Sequence, residues 1–93
     1  MLFLKENLLY RHYTWLEEIN KDLYTGAPSR RRFNRFDGEQ VLYIINLYGS
    51  MSDGFTVEEG RRIEDMIQKE LPIEPKSELS VFNWLMASAK LEK

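Results

Sequence analysis

The sequence contains no cysteine. This absence excludes disulfide bonds, thiolate nucleophiles and every zinc site that needs a cysteine ligand. A chain without disulfides suits a reducing compartment, so we expect a soluble protein of the cytoplasm.

Long hydrophobic runs are also missing. The apolar start, Met1 to Leu4, is interrupted at once by Lys5 and Glu6. Such a stretch is too short and too charged for a secretory signal or a membrane-spanning helix. We therefore expect no association with a membrane.

Motifs that carry catalysis are absent as well. The glycines are scattered singly, which excludes a glycine-rich phosphate loop, and no serine lies in a nucleophile motif. His12 is the only histidine, and because no nucleophile is recognisable beside it, we expect a partly buried or boundary position. The adjacent carboxylates Glu64 and Asp65 diverge by about 100° around a helix, which predicts a solvated face. We predict a protein that is not an enzyme, with no catalytic residue and no cofactor.

The segment around Gly54 superficially suggests a calcium loop. With Gly54 at the sixth position of a loop of about twelve residues, the ligand positions fall on Gly49, Met51 and Gly60. None of these side chains offers an oxygen, and the final glutamate is missing. A turn followed by a helix cap explains the segment better, and we predict no metal site.

A chain of 93 residues is expected to form one small domain spanning residues 1–93. Its formal net charge of -2 hides a local imbalance. Four arginines lie between residues 28 and 36 with no acidic residue among them, so this stretch carries +4 and the remainder of the chain -6. The negative remainder argues against general binding of polyanions.

Hydrophobic periodicity predicts an all-α fold with four helices. The predicted helices cover residues 2–25, 38–48, 57–71 and 78–90, with a basic loop at residues 26–36. The first helix is indicated by leucines at seven-residue spacing, namely Leu2, Leu9, Leu16 and Leu23.

A side chain that can cap a helix precedes each of the last three predicted helices, namely Asp37, Thr56 and Ser77. Gln40 and Glu59, three residues after the first two of these, can bond back to the cap residue and complete a capping box. Between residues 41 and 48 only Asn46 is strongly polar, so the second helix is expected at the centre of the core. Because β-branched and aromatic residues dominate this run, a buried strand stays open as the alternative.

The arginine stretch is the candidate binding site. Its residues are Arg30, Arg31, Arg32, Phe33, Arg35 and Phe36. Guanidinium groups bind carboxylates and phosphates through two-point contacts, and exposed rings stack on bases or pack on proteins. Two interpretations stay open. Either the phenylalanines anchor the loop in the core while the arginines pair with helical carboxylates, or the loop docks a partner.

Aromatic residues make up 13% of the chain, which is generous for a domain with a small interior. Tyrosine and tryptophan are enriched at binding hot spots. We therefore expect a protein–protein interaction module, such as a small adaptor, regulator or inhibitor, that presents an aromatic patch and the arginine loop. A second copy of the chain is the simplest partner. The alternative is a nucleic-acid-binding regulator that uses residues 30–35 with phenylalanine stacking.

Overall fold

The computed structural model describes residues 3–15, 28, 30–72 and 77–91. Within these ranges the chain forms three α-helices and no β-strand: α1 is Gly38–Ser50, α2 is Val57–Lys69 and α3 is Glu78–Leu91. A short 3-10 turn at Lys5–Asn7 precedes them. The prediction of a small all-α domain is confirmed, whereas the prediction of four helices is wrong in its first element.

The segment predicted as the first helix, residues 2–25, is not α-helical where the structure describes it. Residues 3–15, here called the arm, have no regular helix beyond the 3-10 turn. The rest of the predicted helix lies outside the described residues. The leucine spacing misleads because Leu8 is buried while Leu9 is 51% exposed. Side chains from α1 and α2 bind the backbone of the arm, so its polar groups need no helical partners.

The central helix is α1, as predicted, and it is a helix and not a strand. Oδ1 of Asp37 accepts hydrogen bonds from the N–H groups of Glu39 at 3.1 Å and Gln40 at 3.4 Å. The reciprocal half of the predicted capping box is wrong, because the Gln40 side chain turns to the arginine stretch. There its Oε1 accepts from the N–H of Asn34 at 2.8 Å. α1 packs against both α2 and α3.

At the other two helices the capping bonds made by Thr56 and Ser77 are confirmed. The hydroxyl of Thr56 accepts from the N–H of Glu59 at 3.1 Å, and α2 ends at Lys69, just short of the predicted end. The hydroxyl of Ser77 accepts from the N–H of Ser80 at 3.1 Å, and α3 follows. Local capping chemistry therefore places these helix starts correctly.

The core lies between the three helices. Its apolar side chains without solvent exposure include Val41, Ile44, Ile45, Ile63, Ile67, Val81, Leu85 and Ala89. The last three recur every four residues along α3 and so occupy one face. Burial of one leucine or valine side chain contributes about 1.5–3 kcal/mol, which accounts for the position of α3 against α1.

Two glycines let aromatic rings of the arm approach the helices closely. A Cβ atom on Gly60 of α2 would overlap the ring of Phe3, and one on Gly38 of α1 would overlap the ring of Trp15. Only glycine leaves room for such an approach. Both ends of the arm are thus seated on a helix.

Candidate functional site

The beginning of the arm is bound by Asn46 of α1. The Asn46 Oδ1 accepts from the N–H of Phe3 at 2.7 Å, and its Nδ2 donates to the carbonyl of Phe3 at 2.8 Å. In an antiparallel β-sheet, a residue of the neighbouring strand binds both the N–H and the carbonyl of the residue opposite it. Here the side-chain amide of Asn46 takes that place. The polar residue that stands out in α1 therefore holds the arm.

The middle of the arm is bound by Glu64 of α2, whose side chain is fully buried. Its carboxylate accepts from the N–H of Leu9 at 2.7 Å, from the N–H of Tyr10 at 3.1 Å and from the hydroxyl of Tyr13 at 2.6 Å. A buried carboxylate is costly unless it is hydrogen-bonded, and these three donors meet that need. The prediction of a solvated face is wrong for Glu64, because the arm covers it.

The arm presents a group of rings together with a residue far along the chain. The ring of His12 lies 5.3 Å from that of Tyr10 and 5.3 Å from that of Phe36, between centroids and with edge-to-face geometry. Phe36 is 52% exposed and His12 is also exposed, so the predicted boundary position of this histidine is wrong. We call Tyr10, His12 and Phe36 the aromatic patch.

The aromatic patch is fixed from both sides. The N–H of Thr14 donates to the carbonyl of Phe36 at 2.8 Å, and the N–H of Gly38 donates to the carbonyl of Thr14 at 3.1 Å. The hydroxyl of Tyr10 donates to Asp65 at 2.6 Å, and this hydrogen bond raises the pKa of Tyr10. These bonds hold the segments that carry His12 and Phe36 beside each other and tether the ring of Tyr10 to α2.

Arg31 belongs to the interior. Its Nε donates to the Glu78 carboxylate at 3.1 Å, its Nη2 contacts the same carboxylate, and its carbonyl accepts from the N–H of Glu78 at 2.8 Å. Glu78 is fully buried and also accepts from Nε2 of Gln40 at 3.0 Å. This ion pair joins residues 30–36, here called the arginine loop, to the start of α3.

Arg35 binds the end of α2. Its guanidinium donates to the carbonyls of Gln68 at 3.2 Å and Leu71 at 3.5 Å. In return, Nε2 of Gln68 donates to the carbonyl of Arg35 at 2.9 Å. Carbonyls at the C-terminal end of a helix lack intrahelical donors and carry partial negative charge, so a cation there is stabilising.

The six predicted site residues divide into two groups. Arg31 and Arg35 bind within the fold and Phe33 is buried in the core, whereas Arg30, Arg32 and Phe36 are exposed. Within the described part of the chain, Arg30 and Arg32 form no salt bridge. The structural interpretation thus fits Arg31, which pairs with a helical carboxylate, and Phe33, which is buried. Arg35 binds carbonyls instead of a carboxylate, and Phe36 does not anchor the loop in the core. That the exposed residues Arg30, Arg32 and Phe36 bind a partner stays a prediction.

Tyr10 and His12 were not predicted as site residues. The clustering of rings between Tyr10 and Tyr13 is visible in the sequence, but the leucine spacing assigns that cluster to a helix. Its pairing with Phe36 depends on backbone contacts between segments more than twenty residues apart. No local pattern indicates such contacts.

Among the described residues, no group of three or more histidine and acidic side chains is placed to hold a metal ion. None of the helices in those ranges is long and apolar enough to cross a membrane.

The chain matches no protein-family model, and comparison with curated proteins and with solved structures finds no match.

The division of the arginine loop predicts unequal effects of mutation. Arg31→Ala is expected to lower the free energy of unfolding by about 1.5–3 kcal/mol, because it removes the cationic partner of a buried carboxylate while Gln40 remains bound. Arg30→Ala and Arg32→Ala are the matched controls, and each is expected to change stability by less than about 0.5 kcal/mol. Urea unfolding measures all three. Equal effects of the three substitutions would show that the loop is not held through Arg31.

The buried hydroxyl of Tyr13 is expected to make the stability of the fold depend on pH in alkaline solution. Burial and the hydrogen bond to Glu64 raise the pKa of Tyr13 above its ordinary value. The unfolded chain releases the Tyr13 proton near about pH 10, whereas the folded chain releases it only at a higher pH. The contribution of Tyr13 to the free energy of unfolding is therefore complete below about pH 10 and declines above it.

The matched variant is Tyr13→Phe, which lacks the hydroxyl and retains every other titrating group. At neutral pH it is expected to be less stable than the natural chain by about 1–2 kcal/mol. Urea unfolding is expected to show this difference shrinking as the pH rises past about 10. A difference that stays constant across that range contradicts the assignment of Tyr13.

Proposed function

We propose that the protein is a non-enzymatic interaction module that binds another protein through the aromatic patch. The observation that carries this proposal is the exposed ring of Phe36, held against His12 by hydrogen bonds on both segments. Half the surface of this large apolar ring stays in water and so remains available to a partner. On a partner it offers contact area with few rotamers to lose.

The contacts that hold the aromatic patch together support the same proposal. Ordering one side chain at an interface costs about 0.5–1.5 kcal/mol, and a ring that already packs against its neighbours has less of that cost left to meet. Arg31 and Arg35 contribute indirectly, because they tie the arginine loop to α3 and α2. Arg30 and Arg32 remain at the surface, where they suit a partner with acidic side chains. The lack of cysteine favours a cytoplasmic setting for such an adaptor, regulator or inhibitor.

Nucleic acid is the less favoured partner. Phe33 is buried and so cannot stack on a base, and Arg31 is engaged with Glu78. Two exposed arginines in the loop and one exposed phenylalanine leave little of the basic surface that nucleic-acid binders use.

The experiment is affinity capture with the full chain, followed by mass identification and titration of the purified partner. Phe36→Ser is the test variant. Met51→Ser is the matched control, because Met51 is 59% exposed and lies at the opposite end of α1, about 20 Å along the helix. We expect the natural chain and Met51→Ser to retain one partner that Phe36→Ser binds at least about tenfold more weakly, which corresponds to about 1.4 kcal/mol.

Two outcomes contradict the proposal. One is a partner whose affinity is unchanged by Phe36→Ser. The other is salt-sensitive binding of single-stranded RNA or duplex DNA that Phe36→Ser and the double variant Arg30→Ser with Arg32→Ser both abolish, which would support the nucleic-acid alternative.

A further inference from the structure

The arm lies on α1 and α2 as a bound peptide does. Asn46 binds both backbone groups of Phe3, and Glu64 binds the N–H groups of Leu9 and Tyr10. Between these points, Nε of Arg61 donates to the carbonyl of Asn7 at 2.9 Å. All these contacts recognise backbone atoms. Proteins that bind extended peptides use the same device, in which backbone hydrogen bonds give affinity and pockets select side chains.

Pockets for particular side chains are also present. The ring of Phe3 is fully buried over Gly60 and forms an edge-to-face pair with Phe55, at 6.5 Å between centroids. Leu8 and Tyr13 are the next buried side chains of the arm, so the anchors recur every five residues. The third anchor also forms a polar contact, because the hydroxyl of Tyr13 donates a hydrogen bond to Glu64.

We propose that the surface of α1 and α2 beneath the arm is a peptide-binding groove, and that it accepts the arm of a second copy of this chain. An arm from another copy carries the same anchors at the same spacing, so it can form the same contacts with the groove. Exchange of an identical segment needs no new interface, which makes it an inexpensive route to a dimer. The groove does not depend on what the aromatic patch binds.

Exchange has a consequence for the aromatic patch. Tyr10 and His12 lie on the arm, while Phe36 lies on the arginine loop. In an exchanged dimer each aromatic patch is therefore completed by residues from both copies.

The first test offers the arm as a separate peptide to the full chain. The probe is a fluorescein-labelled peptide of residues 1–15, and the receptor is full-length Phe3→Ala, whose own arm has lost its main anchor. We expect this receptor to bind the peptide at least about tenfold more tightly than the natural chain, whose groove is filled. A control peptide with Phe3→Ala is expected to lose at least that factor. Absence of binding to a folded Phe3→Ala chain, or equal binding of both peptides, overturns the proposal.

The second test uses the natural chain and so does not depend on the stability of a variant. Tagged and untagged copies are unfolded together, refolded at high concentration and passed over an affinity resin. The tagged copy is expected to retain the untagged copy, and an excess of the peptide of residues 1–15 during refolding is expected to prevent this. Failure to retain the untagged copy, or retention that the peptide does not reduce, overturns the proposal.

Discussion

Replacing Glu64 with alanine is expected to lower the free energy of unfolding by about 3–5 kcal/mol. The substitution removes the acceptor for the N–H groups of Leu9 and Tyr10 and for the hydroxyl of Tyr13. These donors then either stay unpaired beside α2, or the arm detaches from α2 so that they can form hydrogen bonds with water. Lifting the arm exposes the buried side chains of Phe3 and Leu8, so both routes are costly.

The neighbouring carboxylate provides the control. Asp65 accepts from the hydroxyl of Tyr10 and lies 3.5 Å from Nζ of Lys69, in contacts that face solvent. Asp65→Ala is therefore expected to cost less than about 1 kcal/mol. Urea unfolding of both variants decides the matter, and equal losses would mean that Glu64 does not hold the arm.

The second large effect concerns the ring of Phe3 over Gly60. Phe3→Ala is expected to cost about 3–5 kcal/mol, because it empties a fully buried ring site. Gly60→Ala in the natural chain places a methyl group where the ring lies, and overpacking of this kind costs about 1–3 kcal/mol. Against this, alanine favours the helix by about 1 kcal/mol over glycine.

The two substitutions together separate these contributions. In the Phe3→Ala background the overlap is gone, so Gly60→Ala should become stabilising by up to about 1 kcal/mol. The sign of the Gly60→Ala effect is therefore expected to reverse between the two backgrounds. Unfolding measurements on the four chains test this, and the same effect in both backgrounds would place Phe3 elsewhere.

The helices were predictable because their signals are local. Asp37, Thr56 and Ser77 each cap the helix that begins next to them in sequence. The arm was not predictable for the opposite reason. Its backbone partners, Asn46 and Glu64, lie more than forty residues away along the chain. A seven-residue leucine spacing carries no information about such partners.

The candidate site was predictable only in part. Sequence alone leaves the arginine loop between a structural and a docking role, because Arg30, Arg31 and Arg32 are chemically alike. The fold distinguishes them through the position of one buried carboxylate, Glu78, which meets Arg31. Similarly, Phe33 and Phe36 look equivalent in sequence, yet only Phe33 is buried.

The central claim is that the arm lies across α1 and α2 and brings Tyr10 and His12 to Phe36, since both the aromatic patch and the groove depend on this placement. The most direct measurement is a nuclear Overhauser spectrum of the natural chain. Cross-peaks are predicted between the ring of Phe3 and the α-protons of Gly60, and between the rings of His12 and Phe36. A continuous series of helical amide contacts along residues 3–15, without these two cross-peaks, would contradict the claim.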